Sequence, residues 1–134
     1  MKKLFLLLVL AISFTNCESD SEEITTPEPV ANTIVGRWHL VGFEQTVMYQ
    51  FTDNLRYTIY STDGTFGDLD TAIPNPNDWY YENDKIVIDL NFGNFSVVTP
   101  SFKCEGNVVE LIDDNGSINS TLFREGFDYS SCTQ

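Results

Sequence analysis

One histidine, three cysteines and 20 carboxylates are the side chains of this chain with the means to do chemistry. His39 stands alone, so neither a histidine-based metal cluster nor a relay of two histidines can form. Asp63, Asp68 and Asp70 lie close together in the stretch Ser61 to Asp70, where hard oxygen ligands at short spacing could hold Ca²⁺. No glutamate stands at the twelfth position that an EF-hand loop requires, and turn chemistry accounts for Asp63-Gly64 without an ion. No metal and no cofactor are therefore expected. Nothing in the spacing brings two carboxylates to one site for general acid and base work, so the expected protein is not an enzyme. Trp79, Tyr80 and Tyr81 could offer an aromatic platform, but alternation puts Trp79 and Tyr81 on one face, which is expected to pack the core.

The charge balance narrows the partners. Seven Lys and Arg stand against 20 Asp and Glu, a formal charge of −13 over 134 residues. A surface of that sign repels phosphate backbones, which excludes nucleic acid as an expected partner. The length holds one domain.

Two segments precede that domain. Met1-Lys2-Lys3 is a basic start, and Leu4 to Ile12 is an unbroken apolar run of nine residues. Nine is far short of the ~20 needed to span a bilayer and fits the apolar region of a signal peptide. Ser13-Phe14-Thr15-Asn16-Cys17 follows directly, and a cysteine at the end of such a run resembles the lipobox of bacterial lipoproteins. The resemblance implies cleavage after residue 16 and lipid attachment at Cys17, so that the partner is a membrane, reached through the acyl anchor. Each buried acyl CH₂ contributes ~0.8 kcal/mol, so two or three chains would hold the protein stably. Glu18 to Glu23 carries four acids, and Pro27 and Pro29 follow, so residues 17–33 read as the lipidated cysteine and a disordered tether. An acidic tract at that place is similar to an export signal of some Gram-negative lipoproteins. It implies an outer-membrane location facing the cell surface. Once residues 1–16 are removed, Cys104 and Cys132 form an even pair, which suggests a disulfide in an oxidising compartment; two free thiols are the alternative.

The elements that must position any site are short strands. From Ile34 to Gly126 no apolar helical period is sustained, whereas alternation rich in β-branched and aromatic residues recurs between Asn, Asp and Gly turns. Strands are expected at Trp38 to Phe43, around Val47 to Phe51, at Leu55 to Tyr60, Trp79 to Tyr81, Ile86 to Leu90, Phe95 to Lys103, Val108 to Ile112 and Ile118 to Arg124. Eight short strands at this spacing predict an all-β, antiparallel, up-and-down barrel over residues 34–126, because closure leaves no unpaired edge. Residues 127–134 remain as a C-terminal tail.

Gly36-Arg37-Trp38 on the first strand resembles the G-x-W of the lipocalin (calycin) families, and Arg124 on the last strand matches the arginine that stacks on that tryptophan there. Ser61 to Phe66 is also similar to a turn of the short lipocalin-like domains found in bacterial lipoproteins. The resemblance covers nearly all of the expected barrel and implies a binding module. Its interior is expected to be lined by Trp38, Tyr49, Phe51, Tyr57, Ile59, Ile88 and Leu90, a set suited to a small hydrophobic ligand. The alternative is a solid barrel that serves as a non-catalytic interaction or structural component at the cell surface, its protein partner unknown.

Overall fold

The computed structural model describes residues 31–132. The expected signal peptide, Cys17 and most of the expected tether lie outside the described residues. Eight strands follow one another in chain order: β1 (Gly36–Leu40), β2 (Val47–Phe51), β3 (Leu55–Tyr60), β4 (Asn77–Glu82), β5 (Lys85–Asp89), β6 (Phe95–Lys103), β7 (Val108–Ile112) and β8 (Ile118–Arg124). Each pairs antiparallel with the next, and β8 pairs back onto β1 through Trp38, His39 and Leu40, closing an up-and-down barrel. The first strand is shorter than its apolar residues suggest. Val41 to Phe43 belongs to the β1–β2 connection, where Phe43 O accepts from Thr46 N and Val47 N at 2.9 Å each.

Local chemistry explains the turns. Asn83 and Asp84 both take left-handed backbone (φ 49° and 64°), the geometry whose twist suits a two-residue hairpin between β4 and β5. Between β7 and β8, Asp113 Oδ1 accepts from the backbone N–H groups of Asn115 and Ser117 at 2.9 Å each, closing that loop without tertiary help.

Cross-strand register decides which side chains enter the barrel. Trp38 faces Tyr49 and Arg124, Tyr49 faces Thr58, and Phe51 faces Arg56, so these six share the inner surface. One half of that interior is solid, packed by Ile34, Trp38, Trp79, Ile86, Val98 and Val109, none more than 4% exposed. The 31–35 segment caps this end. The Trp38 indole N–H donates to Ile34 O at 2.6 Å. A second, smaller apolar cluster lies outside the wall. The connection from β3 to β4 folds back across β1 to β3: Arg37 Nη1 donates to Gly67 O (3.0 Å), Ile73 N donates to Thr58 O (2.9 Å), and His39 meets the Phe66 ring edge-on at 5.4 Å. Met48 and Ile59, both on the outer surface, are fully buried.

Cys104 and Cys132 are joined by a disulfide, Cα to Cα 5.8 Å. It ties the tail to the end of β6, and Tyr129 on that tail stacks on Phe123, which stacks in turn on His39. Among the described residues no helix is long and apolar enough to cross a membrane.

Candidate functional site

The two ends of the barrel differ. At the end opposite the 31–35 cap the inner surface opens into a cavity of about 270 Å³. Its apolar lining comes from Leu40, Phe43, Phe51, Ile88, Leu111 and Leu122. Its polar lining comes from Tyr49, Arg56, Ser96, Asn119 and Ser120. Tyr49, Arg56, Ser96 and Ser120 alternate with outward residues on β2, β3, β6 and β8, so strand periodicity puts hydroxyls and a guanidinium inside, and Asn119 joins them where the β7–β8 register shifts.

Arg56 is the charged residue of this lining. It stands at the second of only two paired positions between β3 and β4, where the two strands part. Its guanidinium lies over the Tyr49 ring, 4.9 Å from the centroid. Nη2 donates to Asn77 Oδ1 at 2.6 Å, and Asn77 is oriented for this because its own amide N–H donates to Asp89 O at 2.8 Å. Among the described residues no carboxylate pairs with Arg56, and its buried Nε has no hydrogen-bond partner. Burial lowers its pKa from the ordinary arginine value, partly offset by Tyr49 and Tyr60. Desolvation of a cation with so little compensation is a cost that folding alone does not require.

Of the residues expected to line the interior, Tyr49, Phe51 and Ile88 border the cavity. Trp38 lies in the solid half instead. Leu90, just past β5, is 43% exposed. Tyr57 and Ile59 are a correction: their register partners Gln50 and Met48 are on the outer surface, and so are they. Alternation along β3 was legible, but its more apolar face packs beneath the β3–β4 connection and its polar face, Arg56 and Thr58, points inward. Arg56 is not among the residues expected to line the interior, although a charged residue between Leu55 and Tyr57 on a barrel strand is a signal the sequence carries. Asn77 and Ser96 carried no such mark.

Gly36, Trp38 and Arg124 meet at the closed end. The Arg124 guanidinium lies 4.4 Å from the Trp38 ring centroid and donates to Gly106 O, Val35 O, Ala31 O and Thr33 O at 2.9 to 3.3 Å. Gly36 has φ +130°, and a Cβ there would stand 2.7 Å from Arg124 Nη1, so glycine leaves room for the stack. Asp63 accepts from Thr65 N (2.9 Å) and Ser61 Oγ (3.1 Å), the bonds that depress its pKa, and Asp68 faces Arg37 at 4.0 Å. Among the described residues no three His, Cys, Asp or Glu side chains converge as a metal site requires. Trp79 is buried and meets Phe51 and Tyr81 edge-on, while Tyr80 and Tyr81 are half exposed. Set against models of known families, curated proteins and solved structures, the chain finds no match in any of the three.

Proposed function

We propose that this protein is a lipid-anchored, lipocalin-like binding module of the outer membrane, facing the cell surface, which holds a small ligand in its open end and catalyses no reaction. The observation that carries the reading is the cavity of about 270 Å³ lined by both apolar and polar side chains. Its size falls just below the range of drug-sized ligand pockets, about 300 to 1,000 Å³, and suits a small molecule or the inserted part of a larger one. A barrel serving only as a structural part would gain stability by filling that space with side chains. The stacking of Arg124 on Trp38 beside Gly36 supports the likeness to lipocalins. The anchor rests on the apolar run Leu4 to Ile12 ahead of Cys17.

Native mass spectrometry of the full-length protein, extracted without refolding from the cells that make it, tests the reading. A non-covalent adduct at one per chain is expected. A bare mass that persists after incubation with lipid mixtures would overturn it. Labelling with a fatty-acid analogue tests the anchor: it is expected in the wild type and absent from Cys17→Ala.

A further inference from the structure

If the cavity holds a ligand, its lining constrains what that ligand is. Five cations lie among the described residues, and four have their charge or their donors answered by the protein. Arg37 pairs with Glu125 at 2.7 Å, Lys85 with Asp114 at 2.7 Å and Lys103 with Glu110 at 2.7 Å. Arg124 has four backbone carbonyls and an indole face. Arg56 has one amide oxygen and a phenol ring. A guanidinium carries five N–H donors in a planar fork, so most of those of Arg56 lack an acceptor among the described residues.

In a chain with 20 acidic residues, every wall of this cavity is free of Asp and Glu. Ser96 on β6 and Asn119 and Ser120 on β8 bring two hydroxyls and an amide to the space that Arg56 borders from β3. Leu40, Leu111 and Leu122 share this lining on β1, β7 and β8, Leu111 beside Ser120 and Leu122 beside Leu40 in the register, whereas Arg56 enters from β3. The rim beyond continues the apolar character: Phe43 in the β1–β2 connection is 57% exposed and Ile118 at the start of β8 is 55% exposed. Such a space offers an acidic head a fork of charged donors and offers the rest of the molecule hydrocarbon.

We propose that the ligand is a small amphiphilic anion, a carboxylate or an acid of similar size, with its acidic group on Arg56 and its apolar part along Leu40, Leu111 and Leu122 toward Phe43. The inference rests on the cavity being a ligand site, and it adds the charge and orientation of what fills it. Asn77 is a positioning residue: it holds Nη2 from the side and leaves the remaining edge of the fork to the ligand. A planar oxyanion matches that edge in a way that an alcohol or an amine cannot.

Sodium octanoate, 1-octanol and octylamine, matched in chain length, are the probes. Each is titrated calorimetrically into the full-length protein held in lipid nanodiscs, with empty nanodiscs as the blank. Octanoate is expected to bind at one per chain at least about tenfold more tightly than octanol, octylamine least, and Arg56→Gln is expected to weaken octanoate by about tenfold or more while leaving octanol unchanged. The octanol titration also shows that the variant keeps its folded cavity. Equal binding of octanoate and octanol, or octanoate binding unmoved in Arg56→Gln, would overturn the anion and leave the cavity as a site for neutral ligands. Failure of all three probes in a protein that carries a neutral native adduct would also overturn it, without touching the broader reading.

Discussion

The barrel holds one aromatic-stacked arginine at each end, and the pair separates what stabilises the fold from what the fold is for. Arg124 lies on Trp38 and Arg56 on Tyr49, at 4.4 and 4.9 Å from the ring centroids, and burial lowers the pKa of both. Arg124 then spends its donors on four carbonyls, three of them on the 31–35 segment, and so fastens the cap over the packed half of the barrel. Arg56 meets a single amide oxygen at the edge of an open cavity. Two arginines of similar chemistry therefore sit in opposite states of satisfaction. Where donors are matched within the chain, substitution should weaken the fold. Where they are not, substitution should change binding and leave the fold intact.

The closed end should accordingly break first. Trp38 is fully buried, stacks under Arg124 and donates to Ile34 O. Trp38→Ala removes a large core side chain and is expected to cost about 3 to 5 kcal/mol, read as a lower midpoint in urea followed by circular dichroism. Next in size is the Cys104–Cys132 disulfide, which closes a separation of 28 residues on the outer side of the same end. The double variant Cys104→Ser with Cys132→Ser should lose roughly 3 to 4 kcal/mol in the same measurement. A loss under about 1 kcal/mol would mean that the stack of His39, Phe123 and Tyr129 holds the tail by itself.

These two features were also the ones most open to reading from the sequence. Strand positions follow from alternation, closure from the number of short strands, and the cysteine pair from parity and the export signal. Gly36, Trp38 and Arg124 stood in a recognisable pattern because the stack needs those residue types at those places. The open end was less legible. Alternation says that Tyr57 and Ile59 share a face, but only the β2–β3 register says which face is inside. Hydrophobicity misled there, because the outer side of β3 is covered by chain from 61–73 and the inner side borders a polar cavity. The pairing of Arg56 with Asn77 depends on where β3 and β4 part, which is tertiary. A turn such as Asn83-Asp84 carries its geometry in its residue types; a cavity has no such local signature.

The sharpest form of the comparison is the matched pair Arg124→Met and Arg56→Met. Methionine keeps much of the stem that packs on the ring and removes the charge. Arg124→Met gives up the cation–π contact and the carbonyl bonds, of which the exposed ones are replaced by water, so an expected loss of about 1 to 3 kcal/mol follows. Arg56→Met gives up one cation–π contact and one bond to Asn77 but relieves a desolvated charge that no carboxylate among the described residues pairs with, so the urea midpoint of the ligand-free protein should move by no more than about 1 kcal/mol either way. Equal losses in the two variants would remove the distinction between a fastening arginine and a receiving one.

A smaller effect tests the open end from a distance. The whole chain carries a formal charge of −13, so its long-range field repels an anion that Arg56 attracts locally. The two terms differ in their response to salt. At about 10 mM ionic strength the Debye length is about 30 Å and the surface acids act far into solution, whereas at about 150 mM it is about 8 Å and their reach is cut. The contact inside the barrel lies in a less screened environment and changes little. The association rate of octanoate, measured by stopped flow, should therefore rise about two- to threefold over that range while its dissociation rate stays nearly constant, and octanol should respond to neither. An association rate that falls with salt would mean that the anion is drawn by an exposed cation rather than by Arg56. That result would move the site off the cavity and onto the surface.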